Sequence, residues 1–98
     1  MATLSQAEIS RALDALPGWE FRDEELRKSF EFRGFRAAIG FIDRVAEVAI
    51  AARHHPELCN RYNVVDVAVT THSEGGVTHA DVALAHGIDA VAEPPGGD

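Results

Sequence analysis

Pro56 constrains the fold of this chain more than any other residue. Its ring removes a backbone donor and disfavours helical geometry at the residue before it, so a helix arriving from upstream must stop at His54-His55. One does arrive. Phe35, Ala38, Ile39, Ile42, Val45, Ala46 and Ala49 recur at i, i+3, i+4 and i+7, the spacing of one helical face. Phe41, Val48 and Ala52 widen that face, which predicts a long helix from Phe35 to about Arg53 or His54, covered on two sides. Past the proline the period falls to two. Val65, Val67, Val69 and Thr71 then share one side of an extended segment, with Val64, Asp66, Ala68, Thr70 and His72 on the other. This predicts a strand from Tyr62 to His72, preceded by a shorter one from Glu57 to Arg61.

The same patterns set the remaining elements. Ser5-Gln6-Ala7-Glu8 has the form of a capping box, and Ile9, Ala12, Leu13 and Leu16 follow at helical spacing until Pro17-Gly18 ends the helix. Two alternating stretches, from Trp19 and from Leu26, flank the charged Asp23-Glu24-Glu25 and predict a hairpin. Its buried face would carry Trp19, Phe21, Leu26, Phe30 and Phe32. Thr78-His79-Ala80-Asp81 repeats the capping-box form ahead of Leu84, Ala85, Ile88, Val91 and Ala92, a final amphipathic helix. The order is α-β-β-α-β-β-α, which predicts an α+β fold: a four-stranded antiparallel sheet with three helices packed on one face. Residues 1–92 form a single domain in this reading, and 93–98, Glu-Pro-Pro-Gly-Gly-Asp, a loose tail.

Composition removes several function classes. With 98 residues the chain has room for one core. Apolar runs fall far short of the ~20 residues of a membrane span, and the N-terminus lacks the pattern of a signal peptide. A formal charge of −7, with no stripe of Lys and Arg, argues against direct nucleic-acid binding. The single cysteine, Cys59, has no partner for an internal disulfide and fits a cytoplasmic location; it reads as a small packing residue.

Three of the five histidines bracket the strand region: His54 and His55 before Pro56, and His72 at the far end. Imidazole is the side chain whose ordinary pKa lies nearest neutrality, so histidines gathered in one place can move protons. A metal site is the weaker reading. Adjacent residues in extended chain point to opposite sides, and neither H-x-H nor H-x-x-x-H spacing occurs among these three. His79 and His86, isolated on the last helix, read as ordinary surface residues. From the residues alone, acid–base chemistry and histidines without a function stay close.

A resemblance separates them. His54-His55-Pro56-Glu57, the aromatic Tyr62, Thr71-His72, Gly75-Gly76 and the T-x-x-D of Thr78 to Asp81 together resemble the signature of the pterin-4a-carbinolamine dehydratase family. The likeness extends to Leu16-Pro17-Gly18-Trp19, to Phe30-x-Phe32-x-x-Phe35, and to Leu84-Ala85 followed by Ile88-Asp89, from about Leu13 to Asp89. The resemblance implies the fold predicted above and association as a homodimer or homotetramer. It implies removal of water from 4a-hydroxytetrahydropterin to give quinonoid dihydropterin, with no metal or redox cofactor, downstream of an aromatic amino-acid hydroxylase. His54 and His72 would be the acid–base pair, and His55 would hold the pterin and assist. Glu57, Tyr62, Thr71 and Asp81 would contact substrate, Asp81 serving equally as a helix cap. Two positions depart from the pattern: Ile50, where many relatives carry a charge, and Leu58, where many carry an aromatic. Some relatives act instead as dimerisation cofactors for a homeodomain transcription factor or as assembly factors for a carbon-fixing enzyme, which is the alternative, non-catalytic reading.

Overall fold

The computed structural model describes residues 2–92; the tail expected at 93–98 lies outside the described residues. The elements are α1 (Gln6–Leu13), β1 (Glu20–Arg22), β2 (Glu25–Glu31), α2 (Phe35–Ala52), β3 (Glu57–Arg61), β4 (Val64–Val69) and α3 (His79–Ala92), with one 3₁₀ turn at His72–Glu74. The predicted α+β order is therefore the observed one.

The sheet runs β1-β2-β4-β3 with every neighbour antiparallel. Hairpins β1–β2 and β3–β4 are joined through β2 and β4, from Leu26 opposite Val69 to Glu31 opposite Val64. Alternation then puts Leu26 and Phe30 with Val65, Val67 and Val69 on one face, and Arg27 and Ser29 with Asp66 and Ala68 on the other. The first face is the core. Leu26, Val65 and Val69 are fully buried there, against Ile9 of α1, Phe41 and Val45 of α2, and Leu84, Ala85 and Ile88 of α3. Of the expected aromatic face, Trp19 and Phe30 are buried while Phe21 and Phe32 are partly buried. The Phe41 ring lies between Phe30 and Phe32, with centroids 4.7 and 4.9 Å away.

Two polar contacts lock α3 onto this layer. Asp89 accepts from the Trp19 indole N–H through both oxygens at 3.0 Å, and from Lys28 Nζ at 2.9 Å. Lys28 is on the apolar side of β2, so its ammonium needs such partners; it also donates to the Pro17 carbonyl at 3.0 Å. At the α2–α3 crossing, a Cβ on Gly87 would lie 2.9 Å from Cγ1 of Val48, so only glycine allows this approach without a shift.

Three boundaries differ from expectation. The regular part of α1 stops at Leu13, and the amides of Ala15 and Leu16 bond three residues back, at 3.1 Å, to Ala12 and Leu13. This is the tightening common at a helix end, here just before Pro17. Tyr62 and Asn63 are not in a strand but form the two-residue β3–β4 turn, Tyr62 at φ 52°. Most consequential, β4 ends at Val69, and His72 begins the 3₁₀ turn. Thr71 pairs only with Gly76, and the Thr71 carbonyl accepts from Glu74 and Gly75 at 3.0 Å, so the chain folds back on itself instead of extending. Among the described residues, no helix is long and apolar enough to cross a membrane.

Candidate functional site

The end of α2 is built to reverse the chain. Arg53 takes the left-handed conformation (φ 54°, ψ 40°), and the His54 amide donates back to the Ala49 carbonyl at 3.1 Å. Such a 6→1 closure usually has glycine at the left-handed position; a side chain there costs roughly 1–2 kcal/mol. The reversal turns His54 toward the start of α3, its side chain 18% exposed, and leaves His55 exposed.

At the start of α3, Asp81 has no exposed surface. A carboxylate there must be saturated with donors, and it is. Oδ1 lies 2.5 Å from His54 Nε2; Oδ2 accepts from the Thr71 hydroxyl at 2.7 Å and the Thr78 amide at 2.8 Å. The Thr78 and Thr71 hydroxyls are 2.9 Å apart, and the Ala80 amide donates to Thr78 Oγ1 at 3.2 Å. One donor order satisfies every group: Thr78 hydroxyl to Thr71, Thr71 to Asp81, and His54 Nε2–H to Asp81. An ionised carboxylate only accepts, so the network assigns the proton of neutral His54 to Nε2 and a lone pair to Nδ1.

Thr71 therefore joins this network by its side chain while its backbone leads into His72. The His72 side chain is exposed and borders a cleft of about 180 Å³, formed with Thr70 and Gly75-Gly76 and bounded opposite by Asp23 and Glu24 of the β1–β2 turn and Glu25 at the start of β2.

The structure thus links His54, Asp81 and Thr71 directly, with His72 one residue further on. It does not bring every expected residue to the same place. Tyr62, 69% exposed, lies at the opposite end of β3 from His55-Pro56, roughly 16 Å along the strand at about 3.3 Å per residue. Glu57 pairs with Ala68 and faces the helix-free side of the sheet, where it lines a trough of about 460 Å³ with Arg22, Arg27 and Asp66. This larger concavity contains none of the histidines. Cys59 also lies on that side and is exposed, so it is not a packing residue. His79 and His86 are exposed on α3. Among the described residues, no three His, Cys, Asp or Glu side chains form a group suited to a metal. Sequence reasoning missed the Thr78 hydroxyl. Its signal was present, because the capping-box pattern places Thr78 against Asp81, but capping alone explained it.

A buried carboxylate thus ties a histidine at a helix exit to a Thr-His loop. The model of the family described as pterin 4 alpha carbinolamine dehydratase matches residues 2–91. The chain belongs to this family. A protein of Thermomicrobium roseum, provisionally named pterin-4-alpha-carbinolamine dehydratase, is 45% identical over 92 residues, covering 94% of this chain and 99% of the relative. One of the same provisional name from Rhizorhabdus wittichii is 47% identical, covering 92% and 95%. The crystal structure of a transcriptional coactivator/pterin dehydratase from Brucella melitensis superposes with a TM-score of 0.88 at 43% identity, covering 92% of this chain and 98% of that one. A pterin dehydratase-like protein identified as a RuBisCO assembly factor in the alpha-carboxysome shares the fold alone, with a TM-score of 0.62 at 23% identity over 76% and 86% of the two chains. The pterin carbinolamine dehydratase family is one of hydro-lyases, so the enzyme class is that of water removal. Of the two departures from the family pattern, Ile50 is 65% exposed and Leu58 is partly buried against the core.

Proposed function

We propose that this chain dehydrates 4a-hydroxytetrahydropterin to quinonoid dihydropterin by histidine acid–base catalysis. The observation that carries the reading is the Asp81 carboxylate 2.5 Å from His54 Nε2. With that nitrogen occupied, Nδ1 of His54 is left to accept the proton from N5 of the pterin. The imidazolium so formed is stabilised by the buried anion behind it. His72, protonated, donates to the C4a hydroxyl; the C4a–O bond breaks, water leaves, and its electron pair is replaced at C4a by the new C4a=N5 double bond. One proton is taken up and one is given, so the step balances without oxidant or reductant.

His55, exposed beside His54, holds the ring. Thr71 and Asp81 act in this reading by fixing His54, while Glu57 and Tyr62 have no part in the chemistry. Self-association as a dimer or dimer of dimers is supported by the exposed apolar side chains of α2, Phe35 at 53% and Ile50 at 65%. The reading extends to a cytoplasmic location and a link to an aromatic amino-acid hydroxylase, the source of the hydroxylated pterin.

The test is the absorbance change on mixing purified protein with chemically generated 4a-hydroxytetrahydropterin. The expected result is dehydration faster than in buffer, reduced roughly 10²–10⁴-fold in His72→Ala and in His54→Ala. Wild type no faster than buffer, or variants as fast as wild type, rejects the catalytic reading and leaves the non-catalytic assembly role.

A further inference from the structure

We infer that Glu24 is the specificity-determining residue that recognises the donor edge of the pterin ring. The inference rests on the pterin reading above and adds a substrate contact from the β1–β2 turn.

The turn is unusual in having two non-glycine residues at positive φ, Asp23 at 55° and Glu24 at 64°. The Thr70 hydroxyl fixes its position by donating to the Glu24 carbonyl at 2.8 Å. The Glu24 carboxylate reaches across to the loop after His72: a Cβ on Gly76 would lie 3.3 Å from Glu24 Oε1. Glycine at 76 thus leaves room for this carboxylate at the wall of the His72 cleft.

Three acids sit at the turn, but their environments differ. Glu25 holds Arg27 through contacts of 2.7 and 3.0 Å, and Asp23 lies 3.5 Å from the same guanidinium. Glu24 has no cation paired with its carboxylate among the described residues, so it is the acceptor available to a ligand. The cleft of about 180 Å³ is below the roughly 300–1,000 Å³ of a site that encloses a whole small molecule. It suits one edge of a ring. The pyrimidine edge of a pterin presents two parallel donors, N3–H and the 2-amino N–H, and a carboxylate accepts such a pair with both oxygens. C2 lies para to C4a in that ring, so a pterin gripped by this edge directs its reacting carbon away from the turn.

Glu24→Gln keeps the size of the side chain and removes its charge. Affinity for 7,8-dihydropterin, measured by calorimetry, is expected to fall roughly 10- to 100-fold, and KM for the hydroxylated substrate to rise by the same factor with kcat unchanged. A 2-desamino dihydropterin keeps N3–H but lacks the second donor, so the affinity difference between wild type and Glu24→Gln should shrink with it without vanishing. Glu25→Gln, whose parent carboxylate Arg27 already occupies, should leave affinity unchanged. Equal dihydropterin affinity in wild type and Glu24→Gln, or an equal loss in Glu25→Gln, overturns the inference. The binding measurement requires no turnover: a wild type that binds dihydropterin through Glu24 but dehydrates nothing would end the catalytic proposal and keep this one.

Discussion

Asp81 Oδ1 lies 2.5 Å from His54 Nε2, joining the start of α3 to the exit of α2 across 27 positions of sequence. Replacing Asp81 with Asn keeps the shape but presents an N–H group toward one of three donors. His54 must then change tautomer or turn away. The expected outcome is a fall in turnover of about 10²-fold or more with little change in KM, and a loss of stability of about 1–3 kcal/mol from the unsatisfied buried group. Steady-state kinetics with denaturant unfolding separates the two, and nitrogen NMR of His54 reads the tautomer directly.

Arg53 pays a backbone penalty at its left-handed position that glycine would not. Arg53→Gly is therefore expected to stabilise the fold by about 1 kcal/mol, partly offset by the greater freedom of glycine in the unfolded chain. A rise in denaturant midpoint at constant slope is the measurement; a fall would show that the Arg53 side chain makes a contribution larger than the strain.

Gly87 and Val48 test the α2–α3 crossing. Gly87→Ala gains about 1 kcal/mol in helix propensity but inserts a methyl where Val48 Cγ1 already stands at 2.9 Å, and overpacking typically costs about 1–3 kcal/mol. Net destabilisation is expected. Adding Val48→Ala should recover part of it, so that the double variant is more stable than the sum of the singles predicts.

On the open face of the sheet, the Arg61 guanidinium, followed by the Ser29 hydroxyl, holds the Asp66 carboxyl below the usual carboxylate range. A folded value below the unfolded one contributes stability above the unfolded pKa of about 3.9, lost as pH falls through the folded value. Both groups are largely solvated, so the contribution is small. Unfolding of Asp66→Asn against wild type should show a difference near pH 6 that disappears in strong acid. A difference that persists there would be one of packing rather than charge.

How far the sequence could be read depended on whether a feature was local. The period change at Pro56, the alternation through Val65, Val67 and Val69, and the two capping boxes depend on neighbours a few residues apart, and they gave the elements in order. Alternation that continues through Thr70 and Thr71 places His72 on a strand, whereas β4 ends at Val69 and Asp81, ten positions on, captures the Thr71 hydroxyl. Nothing near Thr71 announces that competitor. Asp81 read equally as a cap and as a site residue, and the geometry combines the two: one oxygen serves Thr78 and Thr71, the other His54. The Glu24 turn gave no signal as part of a site, since Asp23-Glu24-Glu25 looks like any charged connection until β2 pairs with β4 and carries it beside His72.

The chain has one tryptophan, and its indole nitrogen donates to Asp89 on the helix that also bears Asp81. Its emission is thus a native optical gauge of whether that helix is seated. A red shift on mutation or acidification would report undocking, and with it the withdrawal of the anion behind His54, with no label attached.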